Sequence, residues 1–147
     1  MADAAPFRWP VRVYWEDTDA GGVVYHASYL RFLERARTEW LRALGVDQLA
    51  LKQATGLAFL VARMELDFLR PALLDDELLA TVVVKKHGAA SILFGQTIER
   101  ADGACLVRAD VRVACVDIRR MRAAPIPADL VARFSPDPSF LRSAASP

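Results

Sequence analysis

Apolar positions along this chain pass from the period of a strand to that of a helix and back again. Between Phe7 and Glu16 they alternate, with Val11, Val13 and Trp15 on one side and Arg12, Tyr14 and Glu16 on the other. That is the period of a half-buried strand. Pro10 cannot donate to a ladder, which places the start of this strand at an edge or a bulge. From Tyr29 the period lengthens: Tyr29, Phe32, Leu33, Ala36, Trp40, Ala43 and Leu44 recur at three- and four-residue steps. This is the stripe of an amphipathic helix, with Arg31, Glu34, Arg35, Arg37, Glu39 and Arg42 over much of the rest. Ser28 suits its N-cap and Gly45 its C-terminal cap. A shorter helix is predicted over Asp47 to Ala54, ending at Gly56.

Four more strands follow. Leu57 to Phe68 puts Ala62, Met64, Leu66 and Phe68 on one face against Arg63, Glu65 and Asp67. Glu77 to Lys86 is β-branched, Ser91 to Arg100 comes next, and Asp102-Gly103 is a hairpin signal. Ala104 to Asp117 alternates Val107, Ala109, Val111, Val113 and Cys115 with Arg108, Asp110 and Arg112. Pro125 and Pro127 then break the pattern ahead of a short helix predicted over Ala128 to Phe134. The order of strand, long helix and meander predicts an α+β domain with one helix packed on one face of a five-stranded antiparallel sheet.

Composition adds scale. The 147 residues are 54% hydrophobic and 25% charged, which predicts one globular domain over 1–134 and a loose Ser/Pro-rich tail over 135–147. A domain this size buries roughly 70% of its extended-chain surface, so the apolar share suggests cover from a second copy. A net charge of +1 sets up no field for nucleic acid or a membrane surface. Cys105 and Cys115 lie on one face of one strand, about 33 Å apart, so they read as free thiols in a reducing compartment. With two His and two separated Cys there is no zinc spacing. The start, MADAAPFRWP, has no apolar h-region, and no run approaches a membrane helix. The cytoplasm is the expected location.

The candidate chemistry clusters between the first strand and the long helix. Asp19 precedes Gly21-Gly22, where backbone can come close to a ligand. A carboxylate there can serve as nucleophile or general base, or simply complete a turn. His26 stands just before the helix, where a free backbone N–H and the helix dipole can hold an oxyanion. Glu34 and Glu39 read as solvated or paired with helix arginines. Lys85, Lys86 and His87, and Arg119, Arg120 and Arg122, are two basic groups that could hold phosphate or be solvated strand ends. There is no G-x-G-x-x-G, no Walker A loop and no G-x-S-x-G elbow.

The segment EDTDAGGVVYHASYLRFLERARTEWLR, preceded by FRWPVRVYW, resembles the Tol–Pal-associated acyl-CoA thioesterases of the YbgC type. These are a branch of the 4-hydroxybenzoyl-CoA thioesterase family of hotdog-fold proteins. The likeness continues more loosely through LDDELLATVVV, Ser91 to Phe94 and VACVDIRRMRAAPIP. It implies a long central helix wrapped by an antiparallel sheet, in dimers or dimers of dimers with sites at the interface. It implies an acyl-CoA hydrolase with Asp19 as nucleophile or general base and His26 as oxyanion donor. Gly22, Val23 and Tyr25 would line the site, and Lys86, Ser91 and Arg122 are the expected contacts toward CoA. No metal or cofactor beyond the CoA of the substrate is implied. The histidine at position 26 resembles the YbgC branch and points to short aliphatic acyl groups. Two rival readings remain from the sequence: a binding partner of acyl carrier protein or an envelope complex with a vestigial site, and a hotdog dehydratase.

Overall fold

The structure, a computed structural model, describes residues 5–134; the expected tail over 135–147 lies outside the described residues. Strand β1 spans Phe7–Arg12, and a 3-10 turn spans Trp15–Asp17. Helix α1 spans Ser28–Ala43 and α2 Gln48–Thr55. Strands β2 to β5 span Leu57–Phe68, Glu77–His87, Ser91–Arg100 and Cys105–Asp117. The short β6, Arg122–Ala123, and α3, Ala128–Val131, complete the described elements.

The strands form one antiparallel sheet in the order β1-β3-β4-β5-β2, with β6 added beside β5. α1 packs on one face of it, chiefly on β1, β3 and β4. Tyr29, Phe32, Leu33, Ala36, Trp40 and Leu41 are buried there with Val11, Val82, Ile92, Phe94 and Ile98. Trp40 meets Phe94 edge-on at 5.2 Å between ring centroids, a favoured geometry for an aromatic pair. The opposite face carries charges held in pairs, such as Lys85 to Asp110 at 2.6 Å and Arg108 to Asp67 at 3.6 Å.

The ends of α1 show how local sequence sets its limits. Gly45 has φ +85° and donates its N–H to Arg42, while the N–H of Val46 returns to Leu41. This pair of bonds closes the helix and needs a left-handed residue, which glycine supplies. Ser28 is not the N-cap but the first helical residue; Ala27 holds the cap position without a side-chain bond. Ser28 instead accepts from Arg31 at 3.0 Å.

Three further expectations change. The first strand stops at Arg12, one residue before Val13 exchanges bonds with Asp75 and Asp76 in the turn ahead of β3, and Trp15 lies 80% exposed in the 3-10 turn. The sheet has six strands rather than five, Arg122 and Ala123 pairing with Asp117 and Val116. In β2 the pairing slips between Val61 and Arg63. This bulge leaves Ala62 exposed and divides the face predicted for Ala62 to Phe68. Such bulges bend a strand and re-aim side chains.

Phe32 is fully buried beneath α1. Phe32→Ala should lower stability by about 3–5 kcal/mol, measured as the shift in urea-denaturation midpoint at unchanged slope.

Candidate active site

Two aspartates two residues apart do different work. Asp17 is buried, and its carboxylate accepts the N–H of Tyr14 at 2.8 Å. Its Oδ1 lies 3.7 Å from Arg31, and its carbonyl accepts the N–H of Tyr25. It ties the 3-10 turn to the segment entering α1. Asp19 is exposed at the tip. Its Oδ1 accepts the N–H of Gly21 at 2.8 Å and its carbonyl that of Gly22 at 3.0 Å. No hydrogen bond within the described residues engages Oδ2.

The two glycines serve this turn differently. Gly22 has φ +79°, and a Cβ on Gly21 would stand 3.0 Å from Asp19 Oδ1, a tight contact that would nudge the carboxylate by a few tenths of an ångström. The turn is closed by Asp19 and Val23 and by a bridge from Thr18 to Val24. Val23 bridges onward to Leu73.

Tyr25 and His26 follow, both exposed, their rings 4.6 Å apart. Within the described residues the His26 N–H donates to no protein acceptor. It stands just ahead of the first turn of α1, where the helix dipole favours negative charge. Phe68 flanks it, 6.3 Å from the His26 ring and 5.8 Å from that of Tyr29. The Tyr29 hydroxyl accepts the N–H of Ala72 at 3.0 Å, locking the β2–β3 connection to the helix. Burial pushes the Tyr29 phenol above its ordinary range, with the bond from Ala72 opposing and Asp76 adding.

The other expected contacts stand elsewhere. Lys86 and Ser91 line a cavity of about 260 Å³ with His87, Gly88, Leu93 and Arg112. Asp19 follows β1, whose end pairs with the start of β3 at Glu77, whereas Lys86 is nine residues further on, roughly 30 Å along a strand. Arg122 lies exposed on β6 beside Asp117. One chain therefore brings Asp19, Gly22, Val23, Tyr25 and His26 together and holds Lys86, Ser91 and Arg122 at the other end of the sheet. Lys85 is committed to Asp110. No group of three or more His, Cys, Asp or Glu among the described residues could hold a metal ion.

Two contributors escaped the sequence reading. Phe68 was expected to share a buried face with Met64 and Leu66; it is half exposed and forms a wall beside His26. Arg37, read as part of the solvated face, is buried. Its signal was present: it occupies the row Tyr29, Leu33, Arg37, Leu41, four residues apart on the apolar stripe.

Comparison with known proteins places this geometry. A profile of the thioesterase-like superfamily matches residues 13–134. The chain is 48% identical over 128 residues to the acyl-CoA thioester hydrolase YbgC of Escherichia coli O6:H1, an alignment covering 87% of this chain and 95% of the relative. It is equally similar, at 48% over 128 residues, to the acyl-CoA thioesterase YbgC of Haemophilus influenzae, covering 87% and 93%. Among solved structures, a probable thioesterase from Bartonella henselae superposes with a TM-score of 0.79 at 35% identity, covering 84% of this chain and all of that one.

The Tyr29 bond gives a test of how the site is held. Tyr29→Phe leaves the N–H of Ala72 without its acceptor and should cost about 1–3 kcal/mol near neutral pH. Because the folded-state phenol titrates above the unfolded one, its contribution is full below pH about 10 and is lost as pH rises through the folded value. Urea unfolding at pH 7, 9.5 and 11 should therefore show wild type and Tyr29→Phe converging at alkaline pH.

Proposed function

This chain belongs to the thioesterase-like superfamily, and on that premise we propose that it hydrolyses acyl-CoA thioesters to CoA and a free carboxylic acid. The observation that carries the reading is one turn. It presents an exposed carboxylate, Asp19, and leads directly to an unused N–H at His26 before the dipole of α1.

The chemistry follows from those groups. The thioester carbonyl accepts the N–H of His26, which gains strength as negative charge develops on that oxygen. As a general base, the Asp19 carboxylate takes a proton from water while the hydroxide adds to the carbonyl carbon. The tetrahedral intermediate collapses, the C–S bond breaks, and the departing CoA thiolate recovers the proton from Asp19. As a nucleophile, an Asp19 oxygen adds to the carbon, expels the thiolate and forms a mixed anhydride that water then cleaves. Single turnover in ¹⁸O-water separates the two: the nucleophilic route allows the label into the Asp19 carboxylate, and the base route places it in the product acid alone. Tyr25, Gly22 and Val23 line the approach, and the His26 ring can orient water or acyl group.

Acyl groups of limited size suit the fold. The space between α1 and β2 includes a cavity of about 110 Å³, well below the ~300–1,000 Å³ of drug-sized pockets. That supports short aliphatic acyl chains.

We propose further that the working enzyme is a homo-oligomer, a dimer or a dimer of dimers. β2 is an edge strand, and Leu60, Val61, Phe68 and Leu69 along it and beyond its end are exposed. An apolar edge invites pairing with a second copy. A two-fold partner would cover Asp19 and His26, and could bring the Lys86, Ser91 and Arg112 cavity of one copy toward the thioester site of the other. Arg122 is a further candidate contact for the CoA phosphates. The free Cys105 and Cys115 suit a reducing compartment such as the cytoplasm.

Two outcomes are expected. Asp19→Asn should keep its melting temperature and lose thiol release by a factor on the order of 10² or more, measured over acyl-CoAs from acetyl to palmitoyl. Wild-type turnover in that variant would remove Asp19 from the mechanism. Val61→Lys at the edge should shift the protein toward monomer in sedimentation velocity and reduce turnover in step.

A further inference from the structure

A buried cation lines the small cavity between α1 and β2. Arg37 is 8% exposed, and its Nη1 donates to Gln96 Oε1 at 3.0 Å. Gln96 is itself 1% exposed, and its amide nitrogen donates to the carbonyls of Leu33, at 3.1 Å, and Thr81, at 3.2 Å. With both amide hydrogens used, Gln96 can turn only its oxygen to Arg37, and that bond holds the guanidinium in one plane. A guanidinium has five donors. Among the described residues this bond is the one that Arg37 makes, and no carboxylate lies within ion-pair distance of it. Glu34 lies one turn earlier, exposed, and accepts the hydroxyl of Thr38 at 2.8 Å. Burial pulls the Arg37 guanidinium below its ordinary range, and the field of Glu34 opposes this.

Arg37 is one of the residues that line a cavity of about 110 Å³. Leu41, Phe59, Val61, Ile92, Phe94 and Val113 form its apolar walls, with Glu34, Thr38 and Gln48 also around it. A fixed cation in an apolar pocket is costly unless an acceptor meets it, and a planar fork of donors matches a carboxylate best. Strand β2 runs past both this cavity and the candidate reacting end. Phe68 of β2 packs beside His26 and Tyr29, while Phe59 and Val61 of the same strand sit with Leu41 near the end of α1. Eleven residues separate His26 from Arg37, roughly 16 Å of helix. The Arg37 side chain leans back along α1 toward the N-terminus, as helical side chains do.

We propose that Arg37, held by Gln96, is a specificity residue that receives the distal carboxylate of a dicarboxylic acyl chain whose thioester lies at Asp19 and His26. The preferred substrates are then CoA monothioesters of dicarboxylic acids, over plain chains of equal length. This rests on the hydrolase reading, and its test separates the two.

The probes are matched pairs: glutaryl- and pentanoyl-CoA, adipoyl- and hexanoyl-CoA, suberoyl- and octanoyl-CoA. In wild type, one or more pairs should favour the carboxylated member in kcat/KM by about 10-fold or more, the scale of a hydrogen bond to a charged group. Arg37→Met should bring that ratio to one or below, and Arg37→Lys should keep part of it. A general loss of folded enzyme would lower both members alike and leave the ratio unmoved. A wild-type ratio at or below one in all pairs overturns the proposal, even if Arg37→Met fails to fold. A parallel calorimetric titration of Asp19→Asn with adipoyl- and hexanoyl-CoA reads the same preference without turnover. Tighter binding of adipoyl-CoA by about 10-fold supports the role of Arg37 whether or not wild type hydrolyses either thioester. Equal binding, or none, overturns it, whereas absent hydrolysis with preserved preference counts against the hydrolase reading alone.

Discussion

A single helix is too narrow for the sheet it must cover. Five long strands at about 4.8 Å spacing make an inner face roughly 19 Å across, and a helix with its side chains is about 10–12 Å wide. α1 lies toward β1, β3 and β4, where its stripe buries Phe32 and Leu33 completely. The flank at β2 is left partly open. Much of what distinguishes this protein follows from that mismatch. The small cavity beside α1, the apolar edge of β2 and the side of His26 that meets Phe68 all lie along the uncovered side. A second copy that filled the flank would close the site and complete the core in one step, which links oligomerisation to activity.

The position of α1 also fixes the reacting groups. Its axis is set by apolar contacts along its length, so the orientation of its N-terminus is inherited from core packing rather than from the loop. The loop then needs few bonds to align with it. Asp17 joins the 3-10 turn to Tyr25, and Tyr29 joins the helix to the β2–β3 connection through Ala72. A site built on such supports keeps its geometry before substrate arrives, which is what electrostatic stabilisation of an oxyanion requires.

Much of this was legible in the residues. The change of period at Tyr29 marked α1 within a residue, Gly45 marked its end, and the alternation over Val107 to Cys115 marked the buried face of β5. What escaped detection was decided by contacts between distant segments. The first strand ends at Arg12 where its partner segment turns at Asp75 and Asp76, and nothing near Val13 foretells that. The slip at Ala62 depends on how β2 meets β5. Arg37 reads as one more charge on a basic helix until Gln96, 59 residues away, takes its guanidinium. Spacing placed Asp19 in a turn but left it level with Asp17, and it was resemblance that separated them.

The structure adds a physical reason for that separation. Asp17 sits buried, one carboxylate oxygen bonded to Tyr14 and the other facing Arg31. To take a proton or attack a carbon it would have to abandon the turn it maintains. Asp19 spends one oxygen on Gly21, which fixes its direction, and keeps the other outward. The same side chain two residues apart is thus committed as a support at Asp17 and left available at Asp19, according to how many of its lone pairs the backbone claims. The anchor is the backbone N–H of Gly21, and it reaches Asp19 because Gly22, at φ +79°, turns the chain back through the left-handed region. The glycine that first read as freedom for the chain is, in the folded protein, part of what gives the candidate carboxylate its direction.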